Sequence, residues 1–510
     1  MARQCAIGIL AIAGVCGVFA SQASHVPKIW DDASLSDWAT PVAGLNVRPA
    51  HYSSTEYYAA PEDNLRTYPV YPPSTEPPGY WEWLNARKPE PLVDVTAIRT
   101  QKDWVDAGER AFRDMDVPLL RTNDPKLIDQ LRRNALQGVF TFPDGGVGPV
   151  RWVVTKDGVM AGVRACAACH NGRGVDGRLV LGGPGGGGRQ ADARRLVAPE
   201  MPLAGAPGTR WRLQRFYPGD SIPTAFWREF SVPWSPDARI ERIKTATGRE
   251  LQEASGPGQL GRSFSGGVFA RSNGSPYAPT KISDLQNLRY SRYLDATGTH
   301  RLRGPEDIAR YAALVTGANK MDFGPHRILT DEQRRVRFRY ADEVLYAIGV
   351  YLMSLEPPKN PDVAPRTVLN EGERIFHREG CASCHAPPAY TTGKLTVADG
   401  YSLPPDHPNR ADIVDVSIGT DADVALKTRK GTGLYKIPSL RGVWYRRRLL
   451  HDGSLASLEE MFDAARLNPG YEPKGWNPPG ITRRAVPGHT FGLGLNPEES
   501  TALLAFLRGL

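Results

Sequence analysis

Two runs of the form Cys-x-x-Cys-His carry the chemistry of this chain: Cys166-Ala167-Ala168-Cys169-His170 and Cys381-Ala382-Ser383-Cys384-His385. Each has the spacing of a c-type haem attachment site. Two thiols must reach the two vinyl groups on one edge of a porphyrin. Over three residues the backbone makes roughly one helical turn, so both sulfurs present together. The next residue then brings an imidazole under the ring, where it can ligate iron. His170 and His385 are therefore the expected proximal ligands of two covalently bound haem c groups. Zinc is the competing chemistry for paired Cys-x-x-Cys. A histidine directly after both pairs, in a chain with an export signal, argues for haem.

The export signal lies at the N-terminus. Arg3 supplies a short positive region, and Cys5 to Phe19 is almost wholly apolar. Cleavage after Ala20 or Ala23 is expected, so residues 1–23 are set aside as a signal peptide. The apolar run is short for a bilayer span, which needs about 20 residues. Val15 before Cys16 is too bulky for lipoprotein cleavage. A periplasmic or secreted mature chain without a membrane span is expected. Of six cysteines, Cys5 and Cys16 leave with the signal and the rest sit in the motifs, so no disulfide is available afterwards. The net charge of +8 falls to +7 with the loss of Arg3. Basic residues are scattered, apart from Arg446-Arg447-Arg448, which gives a nucleic-acid partner little footing.

The elements that must position the motifs repeat. Gly108-Glu109-Arg110-Ala111-Phe112 recurs as Gly372-Glu373-Arg374-Ile375-Phe376, each on a helical stretch upstream of a motif. Each half also closes with a helical pattern: Val344, Ile348, Leu352 and Leu355, then Leu503, Leu504, Leu507 and Leu510. Thr330 with Gln333, and Asn496 with Glu499, have capping-box spacing, and Pro497 suits a first helical position. Helix, haem, helix is the plan of a small cytochrome c. The expected fold is mainly α: two cytochrome c-like domains with long irregular and small β insertions around the first haem. A Pro- and Tyr-rich wrap over 24–100 precedes a first domain over 101–357. A linker over 358–365 then leads to a second domain over 366–510. Phe140-Thr141-Phe142-Pro143 and Arg151-Trp152-Val153-Val154 predict a small β element in the first-domain insert. Trp211, Phe216, Phe226, Trp227, Phe230 and Trp234 line a pocket or fill a core. The run Gly182 to Gly188 lacks the Gly-Lys-Ser/Thr ending of a phosphate loop and reads as a loop.

Further motifs resemble one superfamily. Lys436-Ile437-Pro438-Ser439-Leu440-Arg441-Gly442, followed by His451-Asp452-Gly453-Ser454, is similar to the C-terminal signature of the dihaem cytochrome c peroxidases, the dihaem enzyme of methylamine utilisation and the dihaem rubber oxygenases. The runs Gly267–Arg271, Asn273–Pro276, Tyr293–His300 and Gly488-His489-Thr490-Phe491-Gly492 look closest to the rubber-oxygenase-like branch. The resemblance covers roughly residues 100–510. It implies that a first, catalytic haem activates O2 or hydrogen peroxide, and that a second haem transfers electrons. A small apolar or phenolic substrate and a small electron-donor protein are the partners it implies. The peroxidase run Phe-Trp-Asp-Gly-Arg is represented by Arg292-Tyr293-Leu294-Asp295, so the tryptophan is absent and Tyr293 is the nearest aromatic. Tyr293 and Tyr311 are the expected catalytic-side residues near the first haem. Glu306 and Asp307 are either a distal acid–base pair or a helix start. The peroxidase methionine ligand is also missing: its neighbourhood reads Ala464-Ala465-Arg466. His489 is therefore the expected distal ligand of the second haem, with His451 and Met461 as alternatives. The function the resemblance implies first is an oxygenase, in which the first haem activates O2 to oxidise an apolar substrate; a peroxidase that reduces hydrogen peroxide, and a carrier whose irons are both six-coordinate, are the alternatives.

Overall fold

The computed structural model describes residues 26–134, 141–173, 179–185, 217, 219–247, 268–269, 277–278, 280–475 and 484–510. The leader, Trp211, Phe216, Gly186 to Gly188 and residues 270–276 lie outside the described residues.

Each half is built on one helix pair. In the first, helix Gln101–Asp114 starts behind a capping box of Thr100 and Asp103. It crosses the closing helix Asp342–Ser354 at Gly108, where a Cβ would overlap the Ala347 carbonyl and the Tyr351 side chain. In the second, helix Arg366–Arg378 crosses Pro497–Gly509 at Gly372, where a Cβ would overlap the Ala502 carbonyl and Phe506. The repeated Gly-Glu-Arg-x-Phe thus has a packing cause. Glycine admits the backbone of the partner helix. The phenylalanine one turn on meets an aromatic of that helix: Phe112 with Tyr351 at 5.7 Å, Phe376 with Phe506 at 5.4 Å.

The last helix starts as expected, with Asn496 and Glu499 as a capping box and Pro497 in the first turn. The first closing helix does not. Thr330 and Gln333 exchange the expected pair of bonds, at 2.9 and 3.4 Å, but they close a turn. The helix begins at Asp342, after the short strand Arg339–Tyr340. A capping box is satisfied by any turn that leaves two N–H groups free, so its spacing alone does not locate a helix.

The N-terminal segment is more regular than a wrap. It holds helices Ser54–Tyr58 and Tyr80–Ala86, and Ile29, Trp30, Trp38 and Tyr57 are buried in the first-half core. Its strand Thr67–Pro69 joins the hairpin Val150–Thr155/Gly158–Val163, with Tyr68 opposite Trp152 and Val153 opposite Met160. Phe226 and Phe230 pack with Tyr217, Ile240 and Ile243 in a separate cluster, and Trp234 meets Phe323 at a tilt, with ring centres 4.7 Å apart. The second half carries a sheet that its helical pattern did not announce. Strand Leu395–Val397 lies between Ile413–Ser417, parallel, and Leu434–Lys436, antiparallel. Among the described residues no helix is long and apolar enough to cross a membrane.

A second repeat joins the halves. Residues 281–300 and 436–455 match at a constant offset of 155 positions. Lys281-Ile282 pairs with Lys436-Ile437, and Tyr290 with Tyr445. The short 3-10 helices Leu288–Tyr290 and Val443–Tyr445 start behind left-handed residues, Asn287 (φ 63°) and Gly442 (φ 71°). Asp295 and Leu450 share φ of 67° and 61°, and Gly298 and Gly453 are both left-handed. Leu294 pairs with His300 as Leu449 pairs with Leu455. The repeats clasp each other reciprocally. Lys281 N–H donates to the His451 carbonyl at 2.9 Å, and Lys436 N–H donates to the equivalent Ala296 carbonyl at 2.8 Å.

Candidate functional site

Both Cys-x-x-Cys-His runs wind one turn. In the first, the N–H groups of Cys169 and His170 donate to the Cys166 carbonyl at 3.2 and 3.0 Å. In the second, those of Cys384 and His385 donate to the Cys381 carbonyl at 3.3 and 2.9 Å. All four thiols are free of disulfides. Each imidazole is oriented by the second repeat. His170 Nδ1–H donates to the Ser283 carbonyl at 3.1 Å, and His385 Nδ1–H donates to the equivalent Pro438 carbonyl at 3.1 Å. A metal-ligating histidine characteristically gives its other ring N–H to a carbonyl, which fixes the tautomer and leaves Nε2 for the metal.

In the second half a cavity of about 280 Å³ brings together Cys381, Cys384, His385, Met461 and His489. The His385 and His489 ring centres are 6.5 Å apart. A metal–nitrogen bond is about 2 Å, and a ring centre lies about 1.2 Å behind its nitrogen. Two imidazoles sharing one metal therefore hold their centres roughly 6.3 Å apart. Burial pushes both pKa values down to about 4, so both rings are neutral and offer lone pairs at neutral pH. His489 Nδ1 is buried without a hydrogen-bond partner among the described residues. These residues fit a haem c: two thiols, an oriented imidazole, and a second imidazole at the separation a shared iron demands.

The backbone under His489 is held against strain. Its φ is 47°, unusual for a residue with a side chain. Gly488 (φ 74°) packs so closely on Gly419 and Thr420 that no Cβ fits. His489 N–H donates to the Ile418 carbonyl at 2.7 Å. From the other side comes Arg466, which is fully buried. Its guanidinium donates to the carbonyls of Met461 (3.0 Å), Val486 (2.6 Å) and His489 (2.8 Å). The neighbourhood that lacks a ligating methionine thus supplies a clamp for the His489 loop.

The other candidates are engaged elsewhere. His451 lies on the same cavity wall but stacks on Tyr435 at 4.5 Å, with its Nε2 3.3 Å from the Tyr435 hydroxyl. Met461 packs in the core of the second half and reaches the cavity wall. Tyr293 is fully buried among Leu395, Val397, Ile413 and Leu434 of the second half. Its hydroxyl donates to Asp412 at 2.9 Å and accepts from Asn409 at 3.0 Å, and burial pushes its pKa up to about 12. The Tyr311 hydroxyl donates to Asp295 at 2.6 Å and accepts from Lys430 at 2.8 Å. Neither hydroxyl stands open to a substrate in this arrangement. Asp307 takes the Arg303 N–H and the Arg303 and Arg310 guanidiniums at the start of helix Pro305–Thr316, which is the structural alternative foreseen for it.

No family model matches the chain. It is similar to the cytochrome-c peroxidase IdrP1 of Denitromonas iodatirespirans, 30% identical over 155 residues, which cover 26% of this chain and 37% of that protein. The match thus spans little more than a third of the relative's length. Similar solved structures include hydrazine synthase of Kuenenia stuttgartiensis, with 16% identity and a TM-score of 0.27 over 61% of this chain and 94% of that one. A MauG-like protein associated with microbial copper homeostasis has 16% identity and a TM-score of 0.29 over 49% and 79%. The diheme peroxidase BthA of Burkholderia thailandensis has 19% identity and a TM-score of 0.23 over 46% and 66%. These superpositions are too loose to support an argument by themselves. Beside this partial likeness to a cytochrome-c peroxidase, the chain carries two Cys-x-x-Cys-His runs.

Proposed function

We propose that this chain is an exported dihaem c-type cytochrome that reduces hydrogen peroxide. One haem c is attached through Cys166 and Cys169 with His170 as its proximal ligand, and the other through Cys381 and Cys384 with His385. The observation that carries the reading is the pair His385 and His489, whose spacing suits an iron closed on both faces. A closed second site suits electron transfer and leaves the first site as the one that meets substrate. The peroxidase name of the relative favours peroxide over O2 as oxidant. Reduction of one peroxide to two waters consumes two electrons and two protons. The haems supply the redox chemistry when bound. The chain's own part is to orient both imidazoles through the Ser283 and Pro438 carbonyls, to keep His489 neutral, and to lock its loop.

Intact mass of the purified protein tests the attachment, with two haem additions expected on a chain shortened at Ala20 or Ala23. Peroxide and carbon monoxide titrations test the roles. One haem responds and the other stays low-spin, and His170→Ala abolishes the response. Turnover of O2 without peroxide would replace the peroxidase by an oxygenase. Two unreactive haems would leave only a carrier.

A further inference from the structure

Two half-buried cations at the clasp lack ion-pair partners among the described residues. Lys281 and Lys436 occupy equivalent places in the second repeat, one from each half, and both line the cavity that holds Cys381, Cys384 and His385. Lys281 Nζ donates to the Arg448 carbonyl at 3.0 Å. Neither ammonium forms an ion pair among the described residues. The acids that face them are committed elsewhere. Asp284 accepts from Arg446 Nε at 2.8 Å and from the Tyr445 hydroxyl at 2.9 Å. Asp452 takes Arg484 at 3.2 Å, and Asp295 takes Lys430 and Tyr311. Arg446 adds a third cation to the same wall. Burial pulls both lysine pKa values down, that of Lys281 to about 8, and Arg446 pushes in the same direction.

A group seated in this cavity would cover both ammoniums, and covering them without counter-charge is costly, so the occupant should bring negative charge to that wall. A haem does: it carries two propionates, on the edge away from its thioether bonds. We propose that Lys281 and Lys436 form a carboxylate-binding site for the propionates of the second haem. One ammonium comes from each half, so seating this haem also ties the first half to the second. The proposal rests on the reading that a haem c occupies this cavity.

Spectroelectrochemistry of the full-length holoprotein reads the ferrous-to-ferric ratio of the low-spin haem. Removing a cation leaves propionate charge unbalanced and favours ferric iron. In Lys281→Met and Lys436→Met the ratio at a fixed potential should fall about tenfold, which is 59 mV for a one-electron couple. The propionate bending bands in resonance Raman should shift in the same variants. Arginine at either position should restore both, and Lys359→Met, at an exposed site, should change neither. Lys281→Gln serves if methionine impairs folding. Unchanged ratios and bands, with the haem attached and low-spin, overturn the proposal. So does a wild-type difference spectrum with added acetate that both variants lose while their potentials stay fixed, since the lysines would then hold a free carboxylate. Purified protein without a second haem is a different result, because it removes the haem reading itself.

Discussion

Arg466→Met tests whether the fold or the iron holds His489 in place. The substitution removes three hydrogen bonds donated by a buried guanidinium to the carbonyls of Met461, Val486 and His489. Bonds to a charged donor contribute about 1.5–3 kcal/mol each, so the gross loss over three bonds is about 4.5–9 kcal/mol. Two effects offset part of it. Methionine avoids the desolvation that a buried guanidinium requires. The Val486 N–H also keeps its 2.7 Å bond to the backbone carbonyl of residue 466. A net loosening of about 2–4 kcal/mol remains, or roughly 30- to 700-fold in the occupancy of the closed loop. Absorption and electron paramagnetic resonance should then show a mixture of high- and low-spin ferric haem in the second site, with the high-spin share growing on warming. The haem itself stays attached through Cys381 and Cys384. Arg466→Lys should fall between, since one ammonium cannot span three carbonyls. His489→Ala sets the limit, with a fully high-spin site. A fully low-spin Arg466→Met protein with the wild-type potential would refute the clamp. A low-spin His489→Ala protein would instead refute the ligand and pass the role to His451.

The helix crossings should be intolerant of a single methyl group. Gly108→Ala and Gly372→Ala each push a Cβ into a carbonyl of the facing helix and should cost about 1–3 kcal/mol by denaturant titration, whereas Gly470→Ala, with open space around it, should be neutral. Asn496→Ala removes the cap of the last helix and should cost about 1 kcal/mol. His51 is buried neutral, its pKa pushed by burial down to about 4 against an ordinary 6.5. Between those values the unfolded chain binds the proton that the folded one refuses, so this group lowers stability as pH drops from 6.5 to 4, by about 3 kcal/mol for His51 alone. His51→Gln should make that limb of the stability–pH curve shallower by this group's share, since His385 and His489 are pushed down to about 4 as well, and an unchanged slope would show that His51 does not contribute.

What the sequence disclosed was local. The five-residue motifs wind into turns by themselves, and Asn496 with Glu499 caps a helix within four residues. Gly108 and Gly372 were legible as a repeat because a close helix crossing leaves the chain no other residue. What stayed hidden depended on distant partners. Tyr293 looked like a haem-side aromatic until strands 395–397 and 434–436 enclosed it. Arg466 read as a missing methionine because its acceptors include carbonyls 20 and 23 residues on. The repeat of 281–300 in 436–455 was within reach of a self-comparison. Its side chains differ at most positions, and what persists is backbone conformation: left-handed residues at 287 and 442, and at 295 and 450.

The two backbone bonds of the clasp, Lys281 to His451 and Lys436 to Ala296, are isologous, as in the contact between two copies of one unit about a twofold axis. Each half presents a donor and an acceptor that only the other half answers. Two separate units of this kind would meet at a rate set by their concentration. Joined in one chain, they meet at an effective concentration set by the tether between them, whatever the dilution. Electron exchange between haems held in the two halves would then be a first-order event inside one molecule, independent of protein concentration.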